Sequence, residues 1–161
     1  MICYVEIIIL DEDKEWARRR VEELDDEIQA LGPEFYEVFN QSSETWHDNA
    51  PFDALRDHQS VLDAERQHLK QLLRTSMPAV PRQWPDQVGI GSRVSVARDD
   101  GKVYRYFIAG DWTPFSGQAK DGEIVMSRNA PLAMSLLGKK RGERVTIGSK
   151  TGTISALQAH R

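Results

Sequence analysis

The chain has 161 residues, enough for one ordinary domain or for a compact domain plus an elongated element. Its 40% hydrophobic content supports a folded protein, and the single cysteine, Cys3, excludes an internal disulfide, so a cytoplasmic, reducing setting is the expectation. The net charge of −4 divides unevenly: residues 1–80 carry eight Lys/Arg against eighteen Asp/Glu, and residues 81–161 carry thirteen against seven. That asymmetry predicts two modules with different surfaces and excludes simple duplex binding by the acidic half, which would repel phosphates.

Residues 1–10 form an N-terminal extension. Its apolar run from Tyr4 to Leu10 is too short to span a bilayer and lacks the basic leader and cleavage site of a signal peptide, so no membrane partner is expected. It has the character of an extra strand or a self-association surface.

Residues 11–76 are patterned for helix. Ala17, Val21, Leu24, Ile28, Leu31, Phe35 and Val38 follow alternating spacings of four and three, a heptad seam, behind an acid-rich start at Asp11, Asp13 and Glu15. Leu55, Leu62 and Leu69 repeat every seven residues in a second segment, with Val61, Leu72 and Leu73 widening the stripe. Neither helix buries its seam alone, so the two predict an antiparallel coiled-coil hairpin with its tip near residues 40–49. A helix from Asp11 to Asn40 would be on the order of 45 Å long. Gly32-Pro33 either kinks the first helix or ends it, with Pro33 opening a new one.

Pro78, Pro81 and Pro85 mark residues 77–86 as a proline-containing linker. Residues 87–158 then read as a small α+β domain. Arg93–Ala97 and Val103–Ile108 predict a hairpin around Asp99-Asp-Gly-Lys, and Glu123–Ser127 a further strand. A short helix from Ala130 to Leu137 follows, capped by Ser127 or Asn129, with Pro131 in its first turn and Gly138 at its end. Arg144–Ile147 and Thr153–Leu157 predict a last hairpin around Gly148–Gly152.

The string Ser127…Ala130-Pro131-Leu132…Leu136-Leu137-Gly138-Lys139…Gly142-Glu143-Arg144-Val145, opened by Val88-Gly-Ile-Gly-Ser-Arg-Val94, resembles the C-terminal domain of the GreA/GreB family of transcript cleavage factors and the related Rnk proteins. The resemblance covers about residues 86–158 and implies an FKBP-like fold there. Pro33-Glu34 and Asp48-Asn49-Ala50-Pro51-Phe52 are similar to landmarks in the helical hairpin of the same family.

The resemblance implies an accessory transcription factor, not itself an enzyme. Its partners would be RNA polymerase, bound through the secondary channel, and the backtracked RNA 3′ end within that complex. It implies no stable small-molecule ligand and no cofactor of its own. The tip carboxylates would be donated to the polymerase Mg²⁺, a hard cation that takes oxygen ligands and works as one of a catalytic pair. Here the tip acids are Glu44 and Asp48, four residues apart where the family pattern has three, and Pro51 stands where that pattern has an acid. The departure leaves open a binding-only regulator, Gre-like or Rnk-like, that occupies the channel without promoting cleavage.

Trp46 and Asn49 share the tip with these acids and are candidate partner contacts; Trp46 either anchors in a partner pocket or covers its own loop. Lys139, Lys140 and Arg141 are candidate partner contacts on the C-terminal domain, or cations complementing a helix end. Arg18, Arg19 and Arg20 read as a solvated face paired with Glu22, Glu23 and nearby acids, or as the source of one contact to RNA or the polymerase pore. His47 and His58 lack any zinc-like spacing, and Gly148–Gly152 lacks the preceding glycine of a phosphate loop. Tyr104, Tyr106, Phe107, Trp112 and Phe115 either pack a core or line a pocket. An isomerase-type enzyme using that pocket is a more distant alternative, since a fold does not carry a function.

Overall fold

The computed structural model describes residues 6–41, 50–81, 83 and 85–159. The protein is α+β and divides into two units: Lys14–Thr75, and the rest of the chain. No helix among the described residues is long and apolar enough to cross a membrane.

The helical unit consists of α1 (Asp11–Gln41, whose first turn belongs to the other unit) and α2 (Ala50–Thr75). α1 opens on Asp11, Glu12 and Asp13, where the helix dipole favours negative charge. Ala17, Val21, Leu24 and Leu31 of its seam are buried, as are Leu62, Leu69 and Leu72 of α2. Toward the distal end the seam thins, with Ile28, Phe35, Val38 and Leu55 only half-buried. Val61 does not widen the stripe: it is 65% exposed, because the next residue, Leu62, takes the inward position about 100° round the helix. Arg20 meets Glu65, Asp25 meets Arg66 and Phe35 meets Phe52, so one helix ascends as the other descends. α1 runs through Pro33 without a break. Pro33 and Gln29, whose carbonyl the proline leaves without its helical donor, are both exposed, so water can satisfy that carbonyl.

The second unit is built on a six-stranded sheet. Its strands are β3 (Arg93–Arg98), β4 (Val103–Ile108), β5 (Ala119–Lys120), β6 (Glu123–Met126), β7 (Arg144–Ile147) and β8 (Lys150–Gln158), in the order β5-β6-β4-β3-β8-β7. All neighbours are antiparallel except β4 and β6. Gly101, at φ 82, turns the β3–β4 hairpin, while the Asp100 carboxylate accepts the Lys102 N–H at 3.0 Å. The helix α3 (Pro131–Leu136) buries Ala133 and Leu136 against Val94, Val96, Tyr106 and Ile154 of the sheet.

Residues 77–86 do not begin as a free linker. Ser76–Pro78 form a strand, β2, that pairs in parallel with β1 (Ile7–Ile9). Pro78 has no N–H to give, and the next donor, Ala79 N–H, reaches the Ile9 carbonyl at 2.7 Å. The other edge of β1 is also engaged: the Ile8 N–H donates to the Asp111 carboxylate at 2.6 Å, and the Asp111 N–H donates to the Ile8 carbonyl at 2.6 Å. A second apolar cluster results, joining Leu10 and Ala79 to Phe107, Ala109 and Val125.

Candidate functional site

Two regions carry the residues singled out in the sequence. The first is the distal end of the hairpin. α1 ends at Gln41 and α2 begins at Ala50, so Glu44, Trp46, Asp48 and Asn49 lie outside the described residues. Among the described residues the two helices are locked by an edge-to-face contact of Phe35 and Phe52, ring centres 5.5 Å apart. Farther down, Arg20 holds Glu65 with two parallel hydrogen bonds at 2.9 and 3.1 Å and Glu27 with a third at 2.8 Å. These carboxylates raise the Arg20 pKa, so it stays charged throughout. The Arg18–Arg20 run is thus divided in its roles: Arg18 makes an exposed pair with Glu15, and Arg20 spans the hairpin.

The second region is the segment around α3. Ser127 does not cap the helix, and neither does Asn129: the N-cap is Ala130, with no side-chain cap bond, and Pro131 starts the helix at a position where its missing N–H costs nothing. The Ser127 hydroxyl instead donates to the Asp111 carbonyl at 3.1 Å. The Asp111 carboxylate then takes Arg128 Nε at 2.5 Å and Asn129 Nδ2 at 3.0 Å. One acid therefore ties strand β1 to the loop that leads into α3. The helix stops at Gly138, in the left-handed region at φ 78, and Met134 on its outer side is 64% exposed.

Lys139, Lys140 and Arg141 follow as an ordered turn. Val88 N–H donates to the Lys139 carbonyl at 2.8 Å, and Gly138 N–H returns a bond to Val88 at 2.9 Å. The Lys140 N–H donates to the Glu143 carboxylate. Arg141 Nε donates to the Ser155 carbonyl at 3.1 Å. That carbonyl is available because β8 bulges there: Ser95 of β3 pairs with Ala156 and Val96 with Ile154, leaving Ser155 between them. Lys140 and Arg141 are exposed and Lys139 half-buried, so the three form a compact basic corner.

The aromatic residues do not share one pocket. Tyr106 belongs to the main core, and Tyr104 stacks beside it at 6.5 Å with Arg98 over its ring at 4.0 Å. Phe107 and Phe115 line a separate cavity of about 120 Å³ together with Asp13, Thr113, Lys120 and Glu123. Asp13 is 2% exposed. Its Oδ1 accepts the Thr113 hydroxyl at 3.0 Å and its Oδ2 has no hydrogen-bond partner among the described residues. Burial pushes the Asp13 pKa up to about 6, against the pull of the Thr113 bond. Among the described residues no three His, Cys, Asp or Glu side chains gather in a metal-binding arrangement. The sequence marked Asp13 only as one of the acids at a helix start and did not mark Asp111, because both look like ordinary surface acids. Asp13 takes its role from Thr113, a hundred residues away in the chain, and Asp111 from Ile8, 103 residues away, together with Arg128 and Asn129.

Residues 83–157 match the family described as "Transcription elongation factor, GreA/GreB, C-term". Transcription elongation factor GreA of Geobacillus kaustophilus is 30% identical over 107 residues, covering 65% of this chain and 65% of the relative. The protein of the same name from Oceanobacillus iheyensis is 31% identical over 109 residues, covering 66% of each. The chain thus spans just under two thirds of the length of these relatives. The crystal structure of GreA factor homolog 1 (Gfh1) of Thermus thermophilus aligns with 96% of this chain and 99% of its own, at 16% identity and a TM-score of 0.44. Residues 83–157 of this chain are thus a C-terminal domain of the GreA/GreB family, and the chain as a whole is similar to proteins that bear the GreA name.

Proposed function

We propose that the protein is a transcription elongation factor that binds RNA polymerase through its secondary channel and stimulates cleavage of backtracked RNA. The observation that carries this reading is the joining, in one chain, of a GreA/GreB C-terminal domain to an antiparallel helical hairpin. Its first helix is 31 residues long, about 46 Å, which is long enough to reach into a deep channel. In this reading the basic corner at Lys139, Lys140 and Arg141 and the exposed Met134 contact the polymerase surface. Glu44 and Asp48 of the tip supply carboxylate oxygens to the Mg²⁺ of the polymerase, which performs the hydrolysis.

A second reading is a regulator that occupies the channel without donating ligands. The four-residue spacing of Glu44 and Asp48 favours it, because it departs from the family arrangement of the acids. The test is incubation of the purified protein with a stalled, backtracked elongation complex carrying end-labelled RNA. Shortened transcripts above the polymerase's own rate support cleavage stimulation. Co-migration with the complex and no shortening supports the regulator. Neither binding nor cleavage would remove both readings.

A further inference from the structure

We propose that the cavity walled by Asp13, Phe107 and Phe115 binds a small organic cation, a primary ammonium on a short apolar stem. This ligand class lies outside what the family resemblance implies. The wall belongs wholly to the sheet-containing unit. At about 120 Å³ the cavity is several times the ~10–15 Å³ that one water needs.

Asp13 comes from the first turn of α1 and is buried. Its Oδ1 accepts the Thr113 hydroxyl, while its Oδ2 has no hydrogen-bond partner among the described residues. A buried carboxylate oxygen left unpaired is costly, and a charged N–H donor answers it best. Burial lifts the Asp13 pKa only to about 6, so at neutral pH the group is ionised and favours a cation.

The aromatic wall already holds cations. Lys120 Nζ lies over the Phe115 ring, 4.5 Å from its centre, and Arg93 Cζ lies 5.8 Å from the centre of Phe107. Ring faces presented in this way receive ammonium ligands. Arg93 is committed to Glu123 at 3.3 Å. Lys120 is exposed, and among the described residues no ion pair holds it. Its strand, β5, has two residues, and a turn with Asp121 at φ 52 and Gly122 at φ 77 pairs it with Glu123. The Lys120 ammonium therefore stands on the ring face that an entering ammonium would take, and a ligand that also reaches Asp13 displaces it.

Charge and ligand count exclude the other classes. Glu12, Asp121 and Glu123 join Asp13 in the wall against Arg93 and Lys120, so an anion meets net repulsion. A divalent cation lacks its ligands, since among the described residues no three His, Cys, Asp or Glu side chains gather. Phe107, Phe115 and Val125 supply the apolar surface against which a stem packs.

The isotope-labelled protein is titrated with cadaverine, an alkyl diamine, and with the uncharged 1-pentanol, and its amide shifts are followed. Nα-acetyl-lysine amide presents the same ammonium as a protein side chain would. Cadaverine is expected to saturate with a Kd on the order of 1 mM or tighter, moving the amides of Thr113, Phe115 and Lys120. Pentanol is expected to leave them in place. Asp13→Asn is expected to weaken cadaverine binding by about tenfold. Lys120→Ala, which alters an exposed side chain, is expected to tighten it by about threefold. Should Asp13→Asn disturb the fold, as its amide spectrum would show, Lys120→Ala decides, and unchanged or weaker binding to it overturns the proposal. Binding of acetyl-lysine amide as tight as that of cadaverine supports a protein lysine as the source of the cation; binding of cadaverine alone supports a free amine. Shifts that do not saturate, or that pentanol reproduces, overturn the proposal, as does binding that both variants leave unchanged.

Discussion

Gly110 lies directly beneath Ile8: a Cβ built on Gly110 would stand 2.2 Å from the Ile8 carbonyl oxygen and 2.8 Å from the Ile9 Cα. Both obstacles are backbone atoms, so no rotamer change relieves the contact. Gly110→Ala is therefore expected to push β1 off its seat at a cost of about 1–3 kcal/mol. Urea unfolding reads this as a lower midpoint, and hydrogen exchange as faster exchange of the Ile8 and Asp111 amides. An unchanged midpoint would mean that β1 does not hold its place against Gly110.

Asp13 makes stability depend on pH. Its buried carboxyl keeps its proton up to about pH 6, whereas an unfolded aspartate releases it near 3.9. Between those values the folded state binds more protons than the unfolded one, so stability falls as pH rises through that window. Above it the loss from this group is on the order of 3 kcal/mol. Asp13→Asn keeps an acceptor for Thr113 and removes the charge, so it is expected to flatten the dependence between about pH 4 and 7. Urea midpoints across that range check it, and an identical slope in the variant would count against the buried charge.

Arg20 bridges the hairpin through a forked pair with Glu65 that a lysine cannot reproduce. Arg20→Lys is expected to destabilise the helical unit by about 0.5–1 kcal/mol at low salt and by less at high salt. Arg18→Lys, which alters an exposed pair with Glu15, serves as the control and is expected to change nothing measurable. Thermal unfolding followed by helicity, at two salt concentrations, distinguishes the two.

If the tip acids supply metal ligands, Asp48→Asn is expected to abolish stimulated cleavage and to leave polymerase binding intact, since an amide is a poor substitute for a carboxylate on Mg²⁺. Transcript shortening and co-migration, measured on the same samples, separate the two effects. Cleavage at the unaltered rate would remove Asp48 from that role.

The helices were legible because their information is local. The seam from Ala17 to Val38 announces itself by spacing, and Pro131 and Gly138 bracket α3 with the two residues whose backbone preferences start and stop a helix. Tertiary placement was not legible. β1 and β2 pair across the whole length of the hairpin, and nothing in Ile7–Ile9 or Ser76–Pro78 names its partner. Ser127 has the chemistry of a cap but spends its hydroxyl on Asp111, a choice set by a loop sixteen residues earlier in the chain. Val61 looked like core because valine is apolar, and lost the inward position to Leu62. Of the candidate site residues, the basic corner of Lys139, Lys140 and Arg141 was visible as composition, while the bulge at Ser155 that anchors Arg141 was not.

The parallel pairing of β1 with β2 also fixes what counts as a self-sufficient piece of this protein. Parallel neighbours require a crossover connection, and here the entire hairpin is that connection. A fragment cut at the start of the sequence-defined domain would lose Leu10 and Ala79 and leave Phe107 and Val125 facing water. The autonomous unit is therefore discontinuous. To make it alone, the residues from Glu6 to Leu10 would have to be spliced to those from Ser76 onward, through a linker long enough to cross over rather than a tight turn.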